Sequence, residues 1–317
     1  MRQEAYFCTV KELDELGKNN IPRQLISHTH LIYSSPATLA FNSPGAEGFG
    51  VKRAGLAVPD SVMLIVSPGC CGRNTSVLSS MRAYQDRFYY LLMDETDIVT
   101  GRHLKKIPKA VAEICEGLKK KPSVVMICIT CVDALLGTDM ERVCHKAEEY
   151  AGVPVRPCYM YALTREGRKP PMVHVRQSVY SLLEPKKKKG NVVNLLGYFS
   201  PLTDDCELYD LLHGAGVKTI HEISRCKDYA QYQTMSEANF NLVLHPEARF
   251  AAEDFHDRLK IPYIELRRLY QIDKIASQYR ALAAALGVEF EDEIPRKAAE
   301  EAVEKFREIH PDVVFAV

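Results

Sequence analysis

Residues 62–72 have the sequence VMLIVSPGCCG, in which an apolar run gives way to a loop of Ser, Pro, Gly and Cys. A short apolar run bounded by turn residues is typical of a buried strand, here Val62–Val66. A helical pattern follows at Thr75–Leu92, and a second run, rich in β-branched residues, lies at Ser123–Ile129. Strands that alternate with helices in this way predict a parallel sheet built from βαβ units.

The alternation of strand and helix continues along the chain. Further strands are expected at Val153–Val155, Asn191–Gly197, Val217–His221, Phe240–Leu244 and Tyr263–Leu266. Further helices are expected at Leu104–Leu118, Asp133–Tyr150, Val173–Leu183, Asp204–Leu212, Glu247–Leu259, Ile272–Leu286 and Ile294–Ile309. The sequence therefore predicts an α/β fold of two Rossmann-like domains, whose parallel sheets are flanked by helices, plus a C-terminal helix.

The expected divisions of the chain follow from this alternation. They are an irregular N-terminal segment at 1–57, a first α/β domain with cysteine loops at 58–186, a second α/β domain at 190–290, and a helical tail at 291–317. Residues 184–190, EPKKKKG, are the expected linker. Its four lysines indicate either a solvated surface turn or an anion-binding patch, and no neighbouring aromatic or Arg residue supports the patch. Thr203 is the expected N-cap of the helix at Asp204–Leu212.

Length and charge exclude several classes of protein. The 317 residues suggest about two domains of roughly 100–200 residues each. Lys plus Arg and Asp plus Glu both total 41, so the formal net charge is zero, which argues against nucleic acid and anionic membranes as partners. No apolar run approaches the roughly 20 residues of a spanning helix. The N-terminal sequence MRQEAYFCTVKELDE turns acidic where a signal peptide would turn apolar, so a cytosolic location is expected.

Ten cysteines are many for a chain without a visible secretion signal. In a reducing compartment they are core thiols, metal ligands or redox groups. Five of them fall in helices or short connections and are expected to be buried small hydrophobes: Cys115, Cys144, Cys158, Cys206 and Cys226. Cys128 and Cys131 form one C-x-x-C pair. A redox role for this pair is possible chemically, but Cys128 falls inside a predicted strand, which favours a core position.

Cysteines follow two of the predicted strands at the edge where parallel sheets bind ligands. Cys70 and Cys71 follow the first strand, and Cys131 follows the strand at 123–129 and opens a helix. A helix N-terminus lowers the pKa of a thiol and favours the thiolate form that holds iron–sulfur clusters. Gly69 and Gly72 flank the first pair and would let a bulky group approach the backbone. The alternative is that these are ordinary loop cysteines.

His245 directly follows the predicted strand at Phe240–Leu244, at the same kind of edge. Its imidazole is a candidate catalytic proton donor to a bound substrate, or a ligand to a tetrapyrrole or a metal. The alternative is a structural role, in which His245 caps the helix that Pro246 begins. His103 and His174 carry no partner signal in the sequence.

Five stretches of the chain resemble the nitrogenase component 1 family. That family includes the nitrogenase molybdenum–iron protein subunits, their cofactor-assembly scaffolds, dark-operative protochlorophyllide reductase and a reductase of nickel-tetrapyrrole biosynthesis. Residues 67–72, SPGCCG, and 129–139, ITCVDALLGTD, are similar to its two cysteine loops. Residues 95–101, ETDIVTG, are similar to the acidic stretch between them. Residues 191–194 and 240–244 are similar to strands of its second domain, and the resemblance covers about residues 40–309.

The resemblance implies a metal site and protein partners. Cys71 and Cys131 occupy the places of cluster-ligating cysteines, which implies an iron–sulfur cluster of the 4Fe–4S kind. The chain has no P-loop motif G-x-x-x-x-G-K-[ST]. The family's electrons come from an ATP-dependent iron protein, which is the implied reductase partner. Its clusters lie near subunit interfaces, which implies a homodimer or a heterodimer with another component 1 homologue.

Three departures from the family pattern bear on function. A further ligating cysteine would fall near Phe41–Glu47, where none is present, so Cys70 or a partner would supply that ligand. His245 stands where nitrogenase catalytic subunits carry a thiolate that anchors their metal cofactor. The family's third α/β domain would follow the helix at Ile294–Ile309, yet the sequence stops at Val317, so a nitrogenase-type cofactor is not expected.

Two functions remain open at this point. The first is an oxidoreductase subunit, which accepts electrons from the iron protein through a cluster and passes them to a small-molecule substrate. The second is a non-catalytic scaffold, which carries a metal cluster or a tetrapyrrole for maturation.

Overall fold

The computed structural model describes residues 9–17, 19–20, 22, 51–69, 84–130, 136–159 and 169–312. The predictions for Cys70, Cys71, Gly72 and Cys131 lie outside these residues, as does residue range 75–83 of the first expected helix. Across the described ranges, no helix has both the length and the apolar character that crossing a membrane requires.

A parallel sheet of four strands forms in the first half of the chain, in the order β2–β1–β3–β4. Its strands are β1 (Val62–Ser67), β2 (Phe88–Leu92), β3 (Val125–Ile129) and β4 (Val155–Tyr159). The central strands β1 and β3 are buried along their whole length, because their continuous apolar sequences are covered on both faces. The strand order reverses between β1 and β3, since β2 lies beyond β1 and β4 lies beyond β3.

Helices cover one face of this sheet: α2 (Glu95–Thr100), α3 (His103–Gly117) and α4 (Met140–Ala151). Ile107, Val111 and Cys115 repeat every four residues along α3 and form one buried stripe. The stripe joins a core cluster with Leu64 of β1 and Ile127 of β3.

A second parallel sheet follows, in the order β6–β5–β7–β8. Its strands are β5 (Lys189–Leu196), β6 (Thr219–His221), β7 (Ala238–Val243) and β8 (Tyr263–Glu265). The helices around it are α6 (Glu207–Gly214), α7 (Tyr229–Gln233), α8 (Arg249–Leu259) and α9 (Ile272–Leu286), with α10 (Glu293–Ile309) beyond them. Short 3₁₀ turns lie at Ile223–Arg225, Thr234–Glu237 and Pro246–Ala248. The α/β architecture predicted from the sequence is confirmed.

Helix α5 (Pro171–Tyr180) joins the two halves. Its residues Val175 and Val179 belong to one core cluster with Ile65 of β1 and Leu196 of β5. The Tyr180 ring meets Phe255 of α8 edge-on, with 5.3 Å between ring centroids. The two sheets therefore share buried apolar contacts, and the domain boundaries stay a prediction.

The helix expected at Thr75–Leu92 is wrong at its C-terminal end, because Phe88–Leu92 is strand β2. Asp86 has a φ of 61°, a left-handed conformation that a right-handed helix cannot continue through. The sequence FYYLL then suits a pleated strand, and its pairing with β1 extends the sheet by one strand.

The N-terminal segment 1–57 is not wholly irregular. Helix α1 (Val10–Leu16) is closed by a capping box between Thr9 and Glu12. Residues 51–55 are helical, and they bury Val51 and Ala54 in the core. Neither stretch has an apolar period long enough to predict a helix.

Two local predictions for the second half of the chain are wrong in part, one for a helix N-cap and one for the linker. Thr203 does not cap α6, which begins four residues later at Glu207 with Cys206 at the cap position. The 184–190 stretch is not entirely a linker, because Lys189 and Gly190 already belong to β5. Its lysines are surface residues: Lys186 and Lys187 are exposed, and the Lys188 ammonium donates to the Ser236 carbonyl at 2.6 Å.

Candidate functional site

The ends of β1 and β3 form the topological switch point of the first sheet, where open α/β proteins bind ligands. Val66 and Ile129 are paired across the two strands, and the Thr130 amide donates to the Val66 carbonyl at 3.4 Å. Both predicted cysteine loops therefore start at neighbouring positions of one edge. The cysteines themselves lie outside the described residues, so their role as ligands stays a prediction.

Two buried hydroxyl groups at this edge have no hydrogen-bond partner among the described residues. They are the Oγ of Ser67, the last residue of β1, and the Oγ1 of Thr130, the residue after β3. Buried polar atoms are nearly always hydrogen-bonded, so two orphaned hydroxyls at adjacent register positions fit a further group held at this edge. Gly69 is exposed, and among the described residues no atom lies within 4 Å of the place that a Cβ would take there.

A polar corner follows β2 at the same edge. Asp94 caps α2 by accepting from the Asp97 amide at 2.7 Å, and Asp97 accepts from the Lys106 ammonium at 2.6 Å. This hydrogen bond to Lys106 lowers the pKa of the buried Asp97 carboxyl. His103 is buried with its Nδ1 2.9 Å from the Asp97 carbonyl, which is the partner that the sequence did not reveal. These hydrogen bonds hold residues 95–101 in place, so this acidic stretch has a structural role.

Cys128 belongs to the core, as its place in a strand predicted. It is fully buried in β3, and burial raises the pKa of its thiol to about 12. A thiol with so little thiolate at neutral pH is a poor redox partner for Cys131. The remaining described cysteines divide in two groups: buried Cys115, Cys144 and Cys158, as expected, and half-buried Cys206 and Cys226.

The switch point of the second sheet lies between β5 and β7, and His245 stands at its edge. Leu196 and Val243 pair at the ends of the two strands, and Gly197 and His245 follow soon after them. Gly197 has a φ of 136°, and a Cβ at this position would lie 2.7 Å from the His245 backbone nitrogen. Only glycine permits this approach of the two backbones.

Arg176 ties α5 to this edge of the second sheet. Its Nε and Nη2 donate to the Gly197 carbonyl at 3.0 and 2.6 Å, and its Nη1 donates to the Glu247 carboxylate at 2.8 Å. The pair is largely buried, since 6% of the Arg176 side chain and 17% of the Glu247 side chain are exposed. The guanidinium also lies over the Phe199 ring, 4.9 Å from its centroid. Arg176, Gly197 and Glu247 thus fix the surroundings of His245.

The His245 side chain caps the 3₁₀ turn at Pro246–Ala248, so the structural alternative expected from the sequence is observed. Its Nδ1 accepts from the Glu247 amide at 3.3 Å, which places the proton of the neutral ring on Nε2. Burial lowers the pKa of His245, with Arg176 lowering it further and Glu247 raising it. The ring is therefore neutral at pH 7, and its side chain is 35% exposed.

A cavity of about 500 Å³ lies at this edge of the second sheet, and its lining includes the chain neighbour of His245, Leu244, but not His245 itself. Tyr198 and Leu244 line it, and the Tyr198 ring meets the imidazole edge-on with 5.7 Å between centroids. Its far wall comes from Arg267 and Arg268 after β8 and from Tyr279 of α9. Sequence reasoning found His245 by its place after a strand, and it missed Arg176 and Tyr198. Arg176 lies 71 residues from its ion-pair partner Glu247 along the chain, so no local sequence pattern indicates that contact.

In the part of the chain that the structure describes, no group of three His, Cys, Asp or Glu side chains could hold a metal ion. A site of three such side chains on this chain would therefore include residues outside the described ranges, to which Cys70, Cys71 and Cys131 belong.

The fold and its two switch points define a two-domain α/β protein of Rossmann-like type. The family model for nitrogenase component 1 type oxidoreductase matches residues 47–314, so the chain belongs to that family. This confirms the family resemblance drawn from the cysteine loops and the second-domain strands.

Curated relatives come from nitrogenase cofactor assembly. The nitrogenase iron-molybdenum cofactor biosynthesis protein NifE of Nostoc sp. is 27% identical over 239 residues, which are 73% of this chain and 49% of that protein. NifE of Klebsiella pneumoniae is 27% identical over 266 residues, 77% of this chain and 58% of that protein. The chain spans about half the length of these curated relatives.

Solved nitrogenase structures share the fold. The structure titled "Nitrogenase Cp1 at pH 6.5" superposes with a TM-score of 0.59 at 17% identity, covering 87% of this chain and 62% of that one. "Nitrogenase Cp1 at pH 5" gives a TM-score of 0.54 at 21% identity, covering 83% of this chain and 55% of that one. At these identities the likeness concerns the fold alone.

Proposed function

We propose that this chain is a metal-cluster-binding subunit of a nitrogenase component 1-like complex, and that it acts as a scaffold on which a cluster is held for maturation. The observation that carries the proposal is the pairing of Val66 with Ile129, which starts both cysteine loops at one sheet edge beside the orphaned hydroxyls of Ser67 and Thr130. The scaffold role draws support from relatives whose printed names describe cofactor biosynthesis.

Thiolates are the residues that would hold the group. Cys71 and Cys131 are the proposed cluster ligands, and Cys70 or a residue of a partner subunit is the proposed third ligand. Gly69 and Gly72 would leave room for the cluster against the backbone. An iron–sulfur cluster, proposed here as the 4Fe–4S kind, supplies a site that stores and passes single electrons.

The proposed partners follow from family membership. A ligand missing from this chain is supplied most simply by a second copy or by another component 1 homologue across an interface. An ATP-dependent iron protein is the proposed source of electrons, in a cytosolic setting.

Iron and sulfide analysis of the anaerobically purified full chain tests the proposal, together with electron paramagnetic resonance. Cys71→Ala and Cys131→Ala should each abolish the chromophore and its iron while the far-ultraviolet circular dichroism stays that of the wild type. Cys206→Ala is the matched control, because Cys206 is a half-buried thiol of the second sheet, and it should keep the full iron content. If both loop variants retain full iron and sulfide, the cluster proposal is overturned.

A second candidate function is reduction of a small-molecule substrate, and the geometry of His245 is the observation that favours it. Its neutral imidazole carries a proton on Nε2, and its neighbours Tyr198 and Leu244 line the cavity of about 500 Å³. The test is His245→Gln in an assay with the cluster-loaded protein, the iron protein and ATP. Lost turnover at unchanged cluster content and melting temperature supports catalysis. Transfer of the intact cluster to an acceptor protein without any turnover supports the scaffold.

A further inference from the structure

A second cavity, of about 620 Å³, lies at the junction of the two sheets. One wall is the segment that leads into β1 together with Arg87, which precedes β2, so this wall is the N-terminal edge of the first sheet. The other wall is formed by Phe199 and Ser200 after β5 and by Ser224 after β6. Its volume falls in the range of about 300–1,000 Å³ that is typical of small-molecule pockets.

Arg87 is the fixed cation of this cavity. Its Nε donates to the Ser61 carbonyl at 2.9 Å, and its Nη2 donates to the Leu56 carbonyl and the Ser61 hydroxyl, both at 2.8 Å. These partners are all neutral, and among the described residues no carboxylate forms an ion pair with this guanidinium. Its Nη1 has no acceptor among the described residues. Burial lowers the pKa of Arg87, while the nearby Tyr84 and Asp60 raise it, so the charge of this half-buried guanidinium is only partly balanced.

Two further cations line the cavity, Arg53 and Lys227. Both are exposed, and neither forms an ion pair within the described part of the chain. Asp60 is the carboxylate among the described lining residues, and the Lys120 ammonium already holds it at 2.7 Å. The lining therefore carries an excess of positive charge that an anion would balance.

The lining also contains a neutral hydroxyl group without a hydrogen-bond partner among the described residues, and several apolar side chains. The Ser224 Oγ is buried and has no hydrogen-bond partner in the part of the chain that the structure describes, although a buried hydroxyl normally has one. Leu56, Met172 and Ile223 add apolar surface. An excess of cations, an orphaned hydroxyl and an apolar wall together suit a ligand with an anionic end and an organic body.

We propose that this cavity binds a small organic anion that carries at least two negative charges, such as a phosphate ester or a polycarboxylate. Guanidinium and ammonium groups bind both kinds of oxyanion through charge-assisted hydrogen bonds. The Arg87 guanidinium would contact the oxyanion, with Arg53 and Lys227 at the rim, and the buried Ser224 hydroxyl would have to turn toward the cavity to donate to it. This site involves neither the cysteine loops nor His245, so it stands independently of the proposed cluster.

Isothermal titration calorimetry of the full chain tests the proposal with two probes, inorganic pyrophosphate for phosphate esters and tricarballylate for polycarboxylates. We expect one anion per chain for at least one probe, with an affinity that weakens as potassium chloride is raised. The preferred probe identifies the source of the oxyanion. The absence of binding by both probes at millimolar concentration overturns the proposal.

Substitutions in the lining test whether a bound anion occupies this cavity. The double variant Arg53→Gln/Lys227→Gln should weaken binding at least about tenfold, and Ser224→Ala should weaken it severalfold without removing a charge. Lys274→Gln removes an exposed charge from α9, far from the lining residues in the chain, and should bind as the wild type does. Wild-type affinity in both cavity variants, at unchanged melting temperature, would contradict the assignment. Iron content is measured in parallel, so failure of the cluster proposal is recognised separately.

Discussion

Gly197 and His245 meet at the switch point of the second sheet, so closely that a side chain at 197 would lie 2.7 Å from the His245 amide nitrogen and 2.8 Å from its Cβ. The contact sets the direction in which the chain leaves β7 and places the imidazole at the sheet edge. The same glycine offers its carbonyl to Arg176. One residue without a side chain thus connects β5, β7 and α5.

Gly197→Ala should destabilise the protein by about 2–4 kcal/mol. A φ of 136° is unfavourable for alanine, and its Cβ would overlap with the His245 backbone. Unlike the end of a flexible side chain, this backbone cannot move away. Urea unfolding followed by circular dichroism measures the change. Gly190→Ala is the matched control on the same strand, because a Cβ there meets nothing within 4 Å, and it should change stability by less than about 1 kcal/mol. Equal effects of the two substitutions would contradict the strain at 197.

The Cys128 thiol should resist alkylation in the folded protein. Burial raises its pKa from 9.0 to about 12, which cuts the thiolate fraction by about a thousandfold, and the side chain is fully shielded. Timed iodoacetamide labelling with peptide mass spectrometry at pH 8 measures the rate. Cys206 is the half-buried comparison and should label faster. Rapid labelling of Cys128 before unfolding would reopen a redox role for the C-x-x-C pair.

The sequence predicts the structure correctly where one strong local pattern determines it. The continuous apolar runs of β1 and β3 could only be buried strands, and the edge rule for parallel sheets correctly placed His245. It failed at β2, where a left-handed Asp86 ends the helical pattern just before five strand-forming residues.

Contacts between distant parts of the chain were also not predicted from the sequence. Arg176 lies 71 residues from Glu247 along the chain, and nothing in either local sequence indicates that the two form a buried ion pair. The His103 contact with Asp97 was missed for a different reason, because it depends on the turn between α2 and α3 rather than on a periodic pattern. Such contacts arise from packing of whole elements, which one sequence does not encode in any short window.

His174 should make stability depend on pH in the acid range. Burial lowers its pKa from 6.5 to about 4, with the charge of Lys169 adding to the effect. Because the unfolded chain binds a proton below about pH 6.5 and the folded chain does not, stability is full above that pH. It falls as the pH drops from 6.5 to about 4, by roughly 2–3 kcal/mol for this group.

Urea unfolding at a series of pH values between 7 and 4 measures this loss. His174→Gln removes the titrating group, so the variant should show a flatter stability profile across that window than the wild type. His256→Gln, at an exposed position on α8, is the control and should keep the wild-type slope. An unchanged slope in His174→Gln would show that the buried imidazole does not control the acid response.

The Arg176–Glu247 pair should control the protonation of His245 in opposite directions. Arg176 lowers the pKa of His245 and Glu247 raises it, since the first disfavours a second positive charge and the second attracts one. Arg176→Met should therefore raise the pKa of His245, and Glu247→Gln should lower it. Titration of the His245 ring protons by NMR measures both shifts.

Arg176→Met should also cost about 3–5 kcal/mol of stability, because it leaves a largely buried Glu247 without its partner. Arg176→Lys keeps the positive charge, so it should leave the pKa of His245 close to the wild-type value even where the lost hydrogen bonds to Gly197 lower stability. A shift of the same sign in Arg176→Met and Glu247→Gln would mean that burial alone sets the protonation of His245.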